Sequence, residues 1–127
     1  MIMRNSKKLG IWMDHSNAFI MEVINNGIVQ HVIVSPFTQQ EKEIGLSKNE
    51  RVMHNKEQHE QASYYKEIAE TIRSYNEVIL FGATEAKNEL YNLLMADHLY
   101  DPIRIKVVNT DNMTENEKHN FVQKYYE

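Results

Sequence analysis

The chain contains no cysteine among its 127 residues. Disulfide bonds, thiolate metal ligands and cysteine nucleophiles are therefore excluded. No stretch approaches the roughly 20 apolar residues that a membrane-spanning helix needs. The opening "MIMRNSKKLGIWMDHSNAF" has no apolar run long enough for a signal peptide. These absences predict a cytoplasmic protein that does not enter a membrane.

An excess of basic residues is also missing. The formal net charge is −4 and the sequence pI is about 5.9, so no strong positive field attracts nucleic acid non-specifically, and we expect no binding to DNA. The length is that of one domain, and the apolar fraction of 42% is ordinary for a globular protein. We find no internal repeat or linker, so residues 1–127 are expected to form a single domain.

The apolar residues are arranged in short runs that predict strands and helices. An Asn-Gly step in "INNGIV" is a strong hairpin signal, and "TENE" before the last apolar stripe is a capping box. The predicted strands are 8–14, 17–25, 28–34, 77–82 and 103–109, and the predicted helices lie near 56–75, 84–100 and 114–126. Residues 36–55 are polar and show no period, so they are predicted to form a long loop.

This order, βββαβαβα, predicts an α/β domain. The first three strands form an antiparallel meander, and each later strand–helix–strand unit makes a parallel crossover. The expected architecture is a mixed five-stranded sheet of the ribonuclease H-like type, with strands four and five parallel to strand one.

The stretch "EVILFGATEAKNEL" runs from a strand through one glycine into a helix. Many phosphate-binding loops have this plan, so Gly82, Thr84 and Lys87 form a candidate anion site. A P-loop needs several glycines and a Gly-Lys-Ser/Thr step, which are missing here. The alternative is a structural corner, with Gly82 in the turn and Thr84 capping the helix.

A second candidate site is a metal centre. Asp14 ends the first strand, and Glu85 and Asp111 follow strands four and five. Ribonuclease H-like nucleases hold divalent metals with carboxylates in such positions, provided that the carboxylates converge. Asp14 beside Ser16 and Asn17 is also ordinary turn chemistry. The aromatic residues also allow two interpretations. They either stack on nucleic-acid bases or pack in the core, and the candidates are Trp12, Tyr64-Tyr65 and Tyr125-Tyr126.

Three segments resemble the middle domain of archaeal and eukaryotic peptide-chain release factors and of the ribosome-rescue protein Pelota. "IWMDHSNAFIMEV" is similar to its opening hairpin, and "IRIKVVNTDNMTENE" to its last strand and final helix. "VILFGATEAKNELYNLL" is similar to its strand, Gly-Pro-x-x-x-Lys turn and helix, with Gly82 and Lys87 near the Gly and Lys and Ala83 in place of the proline. The resemblance covers most of the chain and implies the translational version of the ribonuclease H-like fold.

The resemblance also shows a departure. In release factors the loop after strand three carries Gly-Gly-Gln, which promotes hydrolysis of peptidyl-tRNA. This chain has "PFTQQEKEIGLSKNERVMHN" there, in which Gln39-Gln40 follows no glycine and Gly45 stands alone. The corresponding domain of Pelota also lacks the motif and still binds ribosomes. We therefore expect no hydrolysis. We expect residues 38–55 of this loop to be mobile and to contact a partner through Gln39, Gln40, Lys42, Lys48 and Arg51.

The resemblance therefore favours a non-catalytic module that binds the ribosome, tRNA or another translation partner without a cofactor. Two alternatives stay open at this point. One is a metal-dependent nuclease or phosphotransfer enzyme that uses Asp14 with Glu85 or Asp111. The other is a regulatory or structural protein that acts as an oligomer, for which a dimer is the simplest form.

Overall fold

The computed structural model describes residues 7–25, 27–35 and 50–127, with residues 50–60 described by their backbone alone. The order βββαβαβα is confirmed. In chain order the elements are β1 (Lys8–Met13), β2 (Asn17–Ile24), β3 (Gly27–Val34), α1 (Glu50–Ile72), β4 (Glu77–Gly82), α2 (Ala86–Met95), a 3-10 turn (His98–Tyr100), β5 (Arg104–Asn109) and α3 (Glu115–Tyr125).

The five strands form one mixed sheet in the order β3-β2-β1-β4-β5. β1, β2 and β3 pair antiparallel, whereas β4 pairs parallel with β1 and β5 pairs parallel with β4. The predicted α/β class and the predicted strand directions are therefore confirmed. The carboxyl ends of β1, β4 and β5 lie along one end of the sheet and their amino ends along the other.

The two faces of the sheet carry separate cores. Side chains alternate along a strand, so Leu9, Ile11 and Met13 of β1 face α1 and α2, while Trp12 faces α3. The larger core contains side chains from both covering helices: Tyr64, Tyr65, Ile68 and Ile72 of α1, and Ala86, Leu90 and Leu94 of α2. The smaller core joins Trp12 to Met21, Ile79, Phe81 and Val122.

Helix α3 approaches the sheet closely at Gly10. A β-carbon at this position would overlap the γ-methyl groups of Val122, and a β-branched side chain has little freedom to move aside. The hydroxyl of Tyr126 donates a hydrogen bond of 3.0 Å to the carbonyl oxygen of Leu9. These contacts fix the end of α3 against β1.

The first helix is longer than the sequence suggests. The loop predicted for residues 36–55 overlaps α1, which begins at Glu50, so the boundary predicted at residue 56 is wrong. The physical reason is that residues 50–72 contain neither glycine nor proline and are rich in good helix formers. The rest of that loop, 36–49, lies outside the described residues.

The second helix is shorter than predicted. The helix expected over 84–100 ends at Met95 and a separate 3-10 turn follows. Asp97 has an extended backbone, and its side chain accepts a hydrogen bond of 3.0 Å from the amide of Leu99. An aspartate that bonds to the backbone in this way starts a new turn instead of continuing a helix.

The last helix begins as predicted. Thr114 and Glu117 form the capping box, in which each side chain accepts a hydrogen bond from the other residue's amide. Among the residues that the structure describes, no helix is long and apolar enough to cross a bilayer.

Candidate functional site

The turn after β4 depends on Gly82. Its φ of 149° is unfavourable for any residue with a side chain, and a β-carbon there would lie 2.5 Å from the carbonyl oxygen of Met13. The carbonyl oxygen of Gly82 accepts a hydrogen bond of 2.9 Å from the amide of Thr110. The glycine therefore lets the chain leave β4 while it touches β1 and the segment after β5.

Lys87, in the first turn of α2, lies inside the protein. Its side chain is 1% exposed. The ammonium donates a hydrogen bond of 2.6 Å to the carbonyl oxygen of Thr84 and one of 2.8 Å to Oδ1 of Asn109. The hydroxyl of Thr84 in turn accepts a hydrogen bond of 3.3 Å from the amide of Ala86. Lys87 therefore ties the start of α2 to the end of β5.

Gly82, Thr84 and Lys87 are thus brought together, as the candidate anion site requires. Each also has a structural role in the corner between β4 and α2, and Lys87 directs hydrogen bonds to protein oxygens. Anion binding by these residues stays a prediction.

The carboxylate of Asp14 shapes the turn between β1 and β2. Its Oδ1 accepts hydrogen bonds of 2.8 Å from the amides of both Ser16 and Asn17. Glu85 accepts a hydrogen bond of 2.8 Å from the side chain of Asn88. Within the described ranges, no group of three or more histidine, aspartate or glutamate side chains is placed to hold a metal. Asp14, Glu85 and Asp111 are therefore not part of such a group, and a metal site that uses Asp14 with Glu85 or Asp111 alone stays a prediction.

A polar cluster that the sequence does not reveal lies beside Asp14. The hydroxyl of Tyr65 donates a hydrogen bond of 2.5 Å to Oε1 of Glu89, and Nε2 of His15 lies 3.1 Å from the same oxygen. The hydroxyl of Tyr64 donates to the carbonyl oxygen of Asp14 at 2.9 Å. Burial and the neighbouring carboxylates raise the pKa of both tyrosines well above the usual range.

Acidic side chains dominate this carboxyl end of the sheet. Residues 14–16, 83–89 and 110–117 contain no arginine, and their one lysine is the buried Lys87. The same residues contain the acidic side chains Asp14, Glu85, Glu89, Asp111, Glu115 and Glu117. This end therefore repels a polyanion.

The opposite end of the sheet carries an open groove of about 620 Å³. On the face that α3 covers, the register aligns Lys8, Glu77 and Arg104 side by side on β1, β4 and β5. Lys106 lies two residues further along β5. We call this surface the amino-end groove; its polar and aromatic lining is Lys8, Glu77, Arg104, Lys106, Tyr125, Tyr126 and Glu127.

Two basic residues of the amino-end groove, Arg104 and Lys106, are exposed, and the third, Lys8, is half-buried. The side chain of Arg104 is 83% exposed and lies 3.4 Å from the carboxylate of Glu77, a separation at which an exposed ion pair contributes little. The ammonium of Lys8 lies 5.8 Å from the ring centre of Tyr126. Tyr125 is 40% exposed and meets Tyr126 edge to face. Exposed cations beside an aromatic ring are suited to nucleic-acid phosphates and bases.

A second buried lysine lies under α3. Lys118 is 7% exposed, and its ammonium lies 3.8 Å and 3.7 Å from the ring centres of Trp12 and Phe19. Burial lowers the pKa of Lys118, and the carboxylates of Glu115 and Asp14 oppose that shift. The sequence does not indicate this contact, because Lys118 is one of several charged residues in a polar helix.

The amino-end groove was not predicted from the sequence, although the sequence contains a signal for it. "RIKVV" alternates, which puts Arg104 and Lys106 on one face of a strand. Of the aromatic candidates, Tyr125 is exposed, whereas Trp12, Tyr64 and Tyr65 are buried in the cores. The predicted contact residues Gln39, Gln40, Lys42 and Lys48 and the side chain of Arg51 lie outside the described part of the chain.

Comparison with solved structures identifies the fold. Over 94% of its length the chain is similar to Archaeoglobus fulgidus Pelota, with a TM-score of 0.60 and 14% identity. Over 93% of its length it is similar to Thermoplasma acidophilum Pelota, with a TM-score of 0.62 and 17% identity. The matched parts are 31% and 32% of those proteins, so the chain spans about a third of each. No protein-family model and no curated protein sequence matches it.

The chain thus has the fold of a Pelota domain, and the resemblance noticed in the sequence is confirmed at the level of structure. The similarity extends through the sheet and its helices rather than through one motif. At these identities it describes the backbone arrangement and not the residues of a site.

Proposed function

We propose that the chain is a release-factor-like module that binds the ribosome or tRNA in the cytoplasm and does not catalyse peptidyl-tRNA hydrolysis. The observation that carries the proposal is the Pelota fold over 94% of the chain. No glycine stands directly before Gln39-Gln40. This supports the absence of hydrolysis, because the turn of the Gly-Gly-Gln motif needs glycines.

We assign the polyanion contact to the amino-end groove. The protein as a whole is acidic, with a net charge of −4, so a negatively charged partner approaches where cations are exposed; the amino-end groove has three basic residues against the carboxylates of Glu77 and Glu127. Lys8, Arg104 and Lys106 are presented on one face of the sheet with the exposed ring of Tyr125 beside them. Their attraction to phosphates is electrostatic and weakens as salt concentration rises.

Arg104 and Lys106 are suited to this contact for different reasons. A guanidinium can bind two phosphate oxygens at once, and the long contact of Arg104 to Glu77 leaves most of its donors accessible. An ammonium acts as a point charge. Both side chains project from β5, a strand held by the parallel ladder to β4, so the partner meets cations on a rigid element.

Co-sedimentation of the protein with purified ribosomes tests the proposal. We expect the wild-type protein to pellet with ribosomes at low salt and to be released by ribonuclease treatment. The double variant Arg104→Glu/Lys106→Glu should bind about tenfold more weakly, because it loses phosphate contacts and adds repulsion.

The matched control is Lys66→Glu/Arg73→Glu, which makes the same change in net charge. Lys66 and Arg73 line a different cavity, between α1 and α2, and this variant should bind within about twofold of wild type. Equal losses in both double variants would mean that net charge alone matters. If neither variant loses binding while Lys48→Glu/Arg51→Glu does, the contact belongs to the region predicted from the sequence.

A further inference from the structure

The two edge strands of the sheet differ in how they are protected against pairing. At one edge, β5 presents Arg104 and Lys106, and charged side chains on an edge strand discourage the addition of another strand. At the other edge, β3 reads "GIVQHVIV" and carries no lysine, arginine, aspartate, glutamate or proline over its eight residues. By the rules that govern edge strands, β3 is open to pairing.

The hydrogen-bonding groups of β3 alternate between its neighbour and the outside. The amide of Ser35 donates to the carbonyl oxygen of Ser16 at 2.8 Å, which extends the ladder between β2 and β3 by one step. In an antiparallel pair every second residue points its amide and carbonyl to the partner strand. The odd-numbered residues of β3 therefore bond to β2, and the even-numbered residues Ile28, Gln30, Val32 and Val34 direct their backbone groups outwards.

Apolar side chains at this edge are exposed on both faces of the sheet. Val29 is 52% exposed on the face of α1, and Val32 is 43% exposed on the face of α3. Gln30 is held in place by its side chain, which donates a hydrogen bond of 3.1 Å to Glu115 and contacts His119. The edge is thus unbroken in register, neutral and partly apolar, and among the described strands none pairs with its outer side.

We propose that β3 pairs antiparallel with β3 of a second copy of this chain, which joins the two sheets into one of ten strands (five from each copy). A second copy is the occupant that the strand fits, because a neutral strand can lie beside itself without like charges in contact. The interface does not use the amino-end groove, which spans β1, β4 and β5 and contains no residue of β3.

One register uses every outward-facing residue. If His31 lies opposite its own copy on the two-fold axis, Gln30 pairs with the partner's Val32, and Ile28 pairs with the partner's Val34. These pairs exchange backbone hydrogen bonds in both directions. The same register sets Val29 beside the partner's Ile33, so the exposed Val29 gains an apolar neighbour. Strand pairing with cross-strand apolar pairs of this kind is the ordinary unit of sheet stability.

Sedimentation equilibrium over a range of protein concentrations tests this proposal. The wild-type chain of 15.0 kDa should reach twice its monomer mass as the concentration rises through the micromolar range. The variant Val29→Lys/Val32→Lys places charges on both faces of the edge and should stay monomeric at the highest concentration. Both substitutions are at exposed positions, and circular dichroism should show an unchanged fold.

The matched control is Leu93→Lys/Leu99→Lys, which changes two exposed leucines, 54% and 59% accessible, away from the edge. It should dimerise like wild type. A wild-type chain that stays monomeric throughout would overturn the proposal, as would a Val29→Lys/Val32→Lys variant that still dimerises. Amide hydrogen exchange adds a second readout, since the amides of Gln30 and Val32 should be protected in the dimer and exchange faster in the monomeric variant. If the amides of Gln30 and Val32 were equally protected in the dimer and in the monomeric variant, their hydrogen bonds would lie within one chain. That result would also overturn the proposal.

Discussion

At the carboxyl ends of the parallel strands, the side chains of Lys87 and Asp14 bond to the protein itself, whereas at the amino ends those of Arg104 and Lys106 are exposed to solvent. Lys87 bonds to Thr84 and Asn109, and Asp14 bonds to the backbone of its own turn. At the amino ends, Arg104 and Lys106 lie exposed in a groove. The same sheet thus has one end that is built as structure and one that is available for contact.

This difference shows that the position of a binding site should not be inferred from the fold alone. In α/β proteins with parallel strands, ligands commonly bind outside the carboxyl ends of the strands. In this chain that end is acidic and its lysine is buried, so a polyanion is repelled there. The placement of charge, and not the topology, is the reason that we propose the amino end as the contact surface.

The largest effect expected at the carboxyl end comes from Gly82→Ala. The new β-carbon would lie 2.5 Å from the carbonyl oxygen of Met13 at a φ of 149°, so the central strands must move apart or the turn must change. We expect a loss of about 3 kcal/mol in the free energy of unfolding. Urea denaturation followed by circular dichroism measures it.

Gly27→Ala is the matched control for that variant. A β-carbon at Gly27 meets no atom within 4 Å, and alanine restricts the unfolded chain more than glycine does. Its stability should change by less than about 1 kcal/mol. Equal effects at the two glycines would show that the contact with Met13 does not constrain the turn.

A smaller loss is expected from Lys87→Met. Methionine keeps most of the side-chain volume but removes the two hydrogen bonds to Thr84 and Asn109, leaving acceptors inside the protein. The expected cost is about 2 kcal/mol. Lys118→Met should cost less, because Lys118 contacts the aromatic rings of Trp12 and Phe19 and loses its desolvation penalty with its charge. Thermal unfolding of both variants makes the comparison.

Adding phosphate distinguishes a structural role of Lys87 from a role in anion binding. If the corner is structural, millimolar phosphate leaves the melting temperature of wild type and of Lys87→Met unchanged. A rise in the wild-type melting temperature that Lys87→Met abolishes would instead establish the anion site of Gly82, Thr84 and Lys87.

The smallest effect concerns one tyrosine from each end of the sheet. Tyr75, near the amino ends, donates a hydrogen bond of 3.1 Å to Glu22. Burial and this carboxylate raise the pKa of Tyr75 to about 12, from an ordinary value of 10.0. The pKa of Tyr65, near the carboxyl ends, is raised further by burial and by Glu89. Tyr75 should therefore ionise before Tyr65 as the pH rises.

The raised pKa of Tyr75 also sets the sign of its effect on stability. The folded state holds the proton more tightly than the unfolded state, so this contribution is fully present below about pH 10 and is lost as the pH rises towards 12. In a pH titration, tyrosinate absorbance should rise in a step near pH 12. The variant Tyr75→Phe should remove this step, and Tyr65→Phe should leave it in place. A step that survives Tyr75→Phe would assign it to another tyrosine.

The sequence predicted the fold better than it predicted the surface. Alternating apolar runs, the Asn-Gly step and the capping box of Thr114 are local signals, and they led to the order of elements along the chain and to the strand directions that the structure shows. The early start of α1 at Glu50 was missed because a polar helix has no apolar period. The break at Asp97 was missed because it depends on one side chain bonding to its own backbone.

The side-chain contacts at the two ends of the sheet could not be predicted from the sequence, because residues far apart in the chain form them. The residues next to Lys87 in the sequence do not show that its ammonium donates a hydrogen bond to Asn109 on β5. The amino-end groove joins residues from β1, β4, β5 and the end of α3, which no local window contains. A buried lysine and an exposed one look alike until the neighbouring strands are in place.

Chemical-shift mapping with tRNA tests the central contrast most directly. The isotope-labelled protein is titrated with tRNA at low salt, and the amides that shift are located on the sheet. We expect shifts at Lys8, Arg104, Lys106 and Tyr125 that disappear at high salt, with residues 83–89 and 110–117 unaffected. Shifts confined to 83–89 and 110–117, or no shift at any concentration, would contradict this expectation.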